Sequence, residues 1–112
     1  MGLTAPEAAA APVFDALGDP NRLRIIDRLC ADGPCSTSTL TQAIPATRQA
    51  ATKHLTVLES AGLVHSEKRG RERIWTMRPE SLTAAGDYLE ALSRRWDQRI
   101  ERLRTFVEDV SE

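Results

Sequence analysis

Thr47-Arg48-Gln49-Ala50-Ala51-Thr52-Lys53-His54-Leu55-Thr56-Val57-Leu58-Glu59-Ser60-Ala61-Gly62-Leu63-Val64 decides the fold. Thr47 carries the hydroxyl that accepts from free amides at a helix start, and Gly62 suits a helix C-terminus. Between them Ala51, Leu55 and Leu58 recur at helical spacing and face inward. Arg48, Gln49, Thr52 and Lys53 fall on the outer face. The stretch therefore reads as a helix running to Ala61, with polar and cationic side chains along its exposed first turns.

Upstream, Ser36 caps a short helix that turns Leu40 and Ile44 inward, and Pro45 breaks it. Asp19-Pro20 starts a longer helix whose apolar stripe is Leu23, Ile26, Leu29 and Cys30, stopped by Gly33-Pro34. Before that, Pro12 opens a helix with Val13, Phe14 and Leu17 on one face, ending at Gly18. Residues 1–11 are expected to be a flexible N-terminus, leaving 12–112 as a single domain. Downstream the period changes. Leu63–Lys68 and Glu72–Met77 read as two strands, and Arg69-Gly70-Arg71 as the hairpin tip between them. The expected fold is mainly α with a small β-hairpin, in the order α-α-α-α-β-β-α. Two helices meeting at a short turn, then a basic hairpin, make a winged helix-turn-helix by pattern.

Pro79 opens a last helix in which Leu82, Ala85, Leu89, Leu92, Trp96, Ile100, Leu103, Val107 and Val110 recur every three or four residues. The stripe persists over roughly 30 residues, a helix on the order of 45 Å long. Leu, Ile, Val and Phe together number only 24 of 112 residues, a thin supply for a private core. The inference is burial against a partner, most simply a two-fold homodimer with Leu89, Leu92, Trp96, Ile100 and Leu103 at its interface. The competing arrangement packs the first half on the body and leaves the rest, including Trp96 and Phe106, wet.

A formal net charge of −1 conceals a segregated distribution. Residues 45–79 hold seven basic groups and three acidic ones, while both flanks are net acidic. A local basic face is what a phosphate backbone requires, because each cation placed beside a phosphate releases counterions. In that setting Arg48 suits guanine acceptors and Gln49 suits adenine, with Thr47 assisting and Thr52 placed for a phosphate or a thymine methyl. Lys53 and His54 suit phosphates, as do the free amides at Thr47–Gln49. Lys68, Arg69, Gly70 and Arg71 form the wing tip, and Arg73 adds to general affinity for backbone or minor groove.

Other classes find less support. No nucleophile, base and orienter stand in a known context, and no Gly-rich phosphate loop is visible, so no enzyme is expected. No run of 18 apolar residues occurs, and Met1 to Ala11 carry neither Lys nor Arg, which points to the cytoplasm and away from membranes. Two cysteines are too few for a disulfide scaffold. Cys30 and Cys35 read as small apolar residues bracketing a turn or, alternatively, as a thiol switch. A disulfide there needs Cα atoms within about 7 Å. A protein-interaction module on the same fold, without DNA, is the remaining alternative.

Three stretches carry a family resemblance. Phe14-Asp15-Ala16-Leu17-Gly18-Asp19-Pro20-Asn21-Arg22-Leu23-Arg24-Ile25 resembles the opening of the ArsR/SmtB repressors. Lys53 to Val64 is similar to their segment around the reading helix, and Gly70 to Met77 to their wing. Trp96, Arg99 and Leu103 resemble a non-metal-sensing branch. The resemblance implies a dimeric, sequence-specific repressor of palindromic double-stranded operators. It also implies an interface built from the first and last helices, which adds Val13, Phe14 and Leu17. The family's sensing residues do not carry over. Its Cys-x-Cys pair falls on Ser36 and Ser38, and the last helix has no His. Hydroxyls do not supply the thiolates that a soft metal needs. No metal site, no cofactor and no evident effector are expected.

Overall fold

The computed structural model describes residues 5–110. Its elements run α1 (Ala5–Leu17), α2 (Pro20–Asp32), β1 (Cys35–Ser36), α3 (Thr37–Gln42), α4 (Arg48–Ser60), β2 (Val64–Arg69), β3 (Glu72–Met77) and α5 (Pro79–Val110). Side chains set most helix starts. Asp19 accepts from the amides of Asn21 at 2.8 Å and Arg22 at 3.1 Å, with Pro20 in the first turn of α2. Ser36 accepts from the Thr39 amide and Thr47 from the Ala50 amide, each at 3.1 Å. Each of these bonds satisfies an amide that the first helical turn leaves free.

The exit of α4 is as well defined. The Gly62 amide donates to the Glu59 carbonyl and the Leu63 amide to the Leu58 carbonyl, both at 3.0 Å. This paired closure needs a left-handed residue, and Gly62 supplies it with φ +79°. Leu63 is thereby driven into the core, one residue before β2 begins rather than within it.

The core lies where α1–α4 close over one face of the sheet. Ile25, Leu40, Leu55, Leu58 and Leu63 are fully buried, with Val13 and Val64 beside them. The sheet has three antiparallel strands in the order β1-β3-β2. Trp75 is buried at its centre, and its indole N–H donates to Thr37 Oγ1 at 2.9 Å, which satisfies a buried pair across the sheet–α3 junction.

Four expectations are corrected. The observed order is α-α-β-α-α-β-β-α, because Cys35–Ser36 pairs with Trp75 and Ile74 as an added strand. Two residues are too few to show alternation. Second, α1 begins at Ala5 and not at Pro12. The alanine run has the highest helix propensity, and Ala10 buries its methyl in the core, while Pro12 stands on the exposed side. Met1–Thr4, the rest of the segment expected to be flexible, lie outside the described residues. Third, α2 is rotated from the expected phase. Ile25, Ile26 and Leu29 are buried, and Leu23 and Cys30 are exposed. The adjacent pair Ile25-Ile26 fits two helical frames, and packing selects the one that turns Leu23 out. Fourth, Val13 is 1% exposed inside its own subunit, so it has no surface to offer a partner. Phe14 and Leu17 keep part of theirs.

α5 is one unbroken helix of 32 residues. Its first part packs along α1, with Ala85 buried and the Phe14 and Tyr88 rings 6.4 Å apart. From Ser93 to Val110 every residue is exposed, including Trp96 at 63% and Phe106 at 65%. The projecting half stretches the molecule to 73 × 29 × 22 Å. No helix among the described residues is long and apolar enough to cross a membrane.

A Cβ at position 62 meets Ser81 Oγ at 2.8 Å as well as an unfavourable φ. Gly62→Ala is expected to lower stability by about 1 kcal/mol or more in denaturant unfolding. Most of that loss should persist in a Ser81→Ala background, where the contact is relieved and the strained φ is not. Full recovery in the double variant would assign the cost to the contact alone.

Candidate nucleic-acid interface

The site is built on α4 and the β2–β3 hairpin. α4 buries Ala51, Leu55 and Leu58 and leaves Arg48, Gln49, Thr52 and Lys53 exposed, as the helical phase requires. Ile44 is buried in the α3–α4 turn, which fixes the angle between the two helices.

The hydroxyls are less free than the sequence suggests. Thr47 Oγ1 holds the Ala50 amide, and Thr52 Oγ1 donates to the Arg48 carbonyl at 2.9 Å. Thr52 therefore presents its methyl more readily than its O–H. Arg48 Nη1 donates to Ser38 Oγ at 3.0 Å, tying the first residue of α4 to α3. A guanidinium has five N–H donors, so most of the fork remains for a base edge or a phosphate.

The wing gathers cations without neutralising them. Lys68 stands directly across from Arg73, and Arg69 across from Glu72. Like charges opposite each other on one sheet face destabilise the pair, and an anion laid between them relieves it. Arg69 lies 3.8 Å from Glu67, but both side chains are well exposed, so this pair is worth little. Gly70 forms the tip with φ +63°, next to exposed Arg71. Arg73 is more restrained than the rest. Its Nη1 donates to Ser66 Oγ at 2.9 Å, and Ser66 in turn donates to Glu59 Oε2 at 3.3 Å, which links the wing to the second half of α4.

His54 is half-buried on the flank of α4 that meets α2, and its Nδ1 lies 3.3 Å from Arg22 Nη1. Sequence reasoning passed over Arg22. The signal was available: a cation in the first turn of a helix opposes the macrodipole and requires another reason to be there. Asp19 sits in the same cluster. Its carboxyl is held below the usual carboxylate range, chiefly by the Arg22 amide, against an opposing desolvation; the Asn21 amide and the Arg22 guanidinium assist.

The two cysteines are both free and differ sharply. Cys30 is exposed on α2. Cys35 is buried in β1, where its thiol donates to the Gly33 carbonyl at 3.3 Å. Burial pushes the Cys35 thiol up, and Asp32 adds to the shift. The thiolate is the reactive form, so this environment makes Cys35 a poor nucleophile. Ser36 and Ser38 both have structural work, as the α3 cap and as the acceptor for Arg48. Among the described residues no three His, Cys, Asp or Glu side chains group as metal ligands.

This arrangement has close parallels in known proteins. A helix-turn-helix domain family matches residues 17–67, from the end of α1 into β2. The HTH-type transcriptional regulator YuzN of Bacillus subtilis is 40% identical over 76 residues, covering 62% of this chain and 83% of YuzN. The HTH-type transcriptional regulator Rv2034 of Mycobacterium tuberculosis is 37% identical over 71 residues, covering 63% of this chain and 65% of that protein. An ArsR-like transcriptional regulator from Rhodococcus sp. RHA1 superposes with a TM-score of 0.79 at 34% identity, over 92% of this chain and 96% of that one. At that coverage the match reaches beyond the helix-turn-helix into both α1 and α5. The chain belongs to the ArsR/SmtB-like family of winged helix-turn-helix, DNA-binding transcriptional regulators.

Proposed function

We propose that this regulator is a homodimeric repressor that binds a pseudo-palindromic operator in the cytoplasm and excludes polymerase from it. The observation that carries the reading is the outward face of α4. Arg48, Gln49 and Lys53 stand exposed there on a helix whose other face is locked into the core, and the wing adds the like-charged Lys68–Arg73 pair. In this reading Arg48 and Gln49 select bases in the major groove, with the Thr52 methyl against thymine. Lys53, Lys68, Arg69 and Arg71 hold phosphates, Gly70 lets the wing tip approach, and Arg73 contributes from its place beside Ser66.

Pairing completes the reading head. One α4 covers half a site, and two held about 34 Å apart enter successive major grooves on one side of the duplex. The exposed stripe on α5, Leu89, Trp96, Ile100 and Leu103 with half-buried Leu92, is the surface for that pairing, joined by Phe14 and Leu17 of α1. Neither metal nor thiol oxidation is the signal in this reading. Ser36 and Ser38 serve the α3 cap and the Arg48 tie, and the Cys35 thiol is buried and held protonated.

Arg48→Ala is expected to relax preference at one base pair, at a cost of about 1–3 kcal/mol. Arg71→Ala should weaken all sequences alike and flatten the salt dependence of binding. Titrations of duplexes enriched from random-sequence DNA, at several salt concentrations, separate the two; identical behaviour refutes the division of roles. Trp96→Glu should shift sedimentation equilibrium from twice the chain mass to the chain mass and weaken duplex binding in step. A wild-type monomer that binds as tightly as any variant contradicts the pairing. Mild oxidant should leave duplex affinity unchanged, and a loss restored by reductant would return the thiol switch to consideration.

A further inference from the structure

Arg22 occupies the first turn of α2, where the amide dipoles disfavour a cation. Three acceptors compensate. Its Nε donates to the Ala16 carbonyl and its Nη2 lies 3.4 Å from that of Asp15, both in the last turn of α1, where the dipole favours positive charge. Its Nη1 reaches His54 of α4. One planar side chain on α2 thus contacts two other helices, α1 and α4. Among the described residues, no other side chain hydrogen-bonds both to the end of α1 and to the helix that carries Arg48 and Gln49.

The contact also fixes the imidazole. A guanidinium has no lone pair to offer, so a hydrogen bond across this 3.3 Å contact requires His54 Nδ1 to accept and the ring proton to sit on Nε2. The fork geometry is specific to arginine, because an ammonium on a flexible stem cannot hold two carbonyls and a ring nitrogen in one plane.

We infer that Arg22 is a positioning residue for DNA reading: by bracing His54 against the C-terminus of α1, it sets the orientation of α4 and holds the ring as the Nε2–H tautomer. The inference rests on α4 being the reading helix. It adds a coupling between that helix and α1, the helix proposed to contribute to pairing.

The test is a double-mutant cycle on the intact protein with a duplex enriched by the wild type from random-sequence DNA. Arg22→Met and His54→Ala should each weaken binding about tenfold, and the double variant should be no weaker than the worse single, which is the signature of a shared interaction. His54→Gln, which restores an acceptor opposite Arg22, should recover much of the loss. Arg22→Lys keeps a cation for the α1 carbonyls and guards against a folding defect in Arg22→Met; it should show the same loss of binding with a smaller loss of stability. Nitrogen–proton correlation spectra of the imidazole need no DNA. They should show Nε2–H in the wild type and a mixture of tautomers in both Arg22 variants. Additive losses in the cycle, or an unchanged His54 spectrum in the Arg22 variants, overturn the inference. If Arg48→Ala leaves duplex binding intact, it is the reading-helix assignment that fails, and the spectra still decide the contact.

Discussion

An apolar stripe that one chain cannot bury is the constraint on which the rest turns. Along α5 the same face that packs on α1 at Leu82 and Ala85 continues outward through Trp96, Ile100 and Leu103, which stand exposed among the described residues. Removing side chains of this size from water is worth about 1.5–3 kcal/mol each. The proposed pairing gives that free energy somewhere to go. In that proposed pair, each unbroken α5 would hold its own body at a fixed angle to the other.

The body that α5 carries is small, and it is held together by local closures as much as by volume of core. Capping bonds at Asp19, Ser36 and Thr47 and the double closure over Gly62 define where α2, α3 and α4 begin or end. Polar ties then orient the helices that packing alone leaves adjustable. Arg48 to Ser38 joins α4 to α3, Arg73 through Ser66 to Glu59 joins it to the wing, and Arg22 to His54 joins it to α1 and α2. The helix proposed to read DNA is thus braced at its start, flank and second half, consistent with a surface that meets a rigid duplex. Each tie is exposed or only partly buried, and each is worth little to stability alone; their weight lies in direction.

Much of this architecture was legible in the sequence wherever the determining chemistry is local. Caps, the Gly62 exit, the β2–β3 hairpin and the length of α5 all announce themselves within a few residues, and so does the outer face of α4. What stayed hidden depends on distant partners. β1 exists only because β3 lies beside it. Leu23 sits on a helix whose composition permits two phases, and the rest of the core chooses between them; Val13 keeps its expected face, but that face is filled by its own subunit. At the site, residue identity revealed which side chains face outward but not which were already engaged. Thr47 and Thr52 hold their own helix, and Arg22, 32 positions from His54 along the chain, has a role that no spacing rule connects.

The account stands on two reading helices held by a two-fold pair, and hydroxyl-radical footprinting of the complex on an enriched duplex tests that most directly. Two protected half-sites on one face of the DNA, related by a pseudo-dyad and centred about 34 Å apart, are the predicted result. Protection of one undivided half-site, as a lone subunit leaves it, would contradict the account.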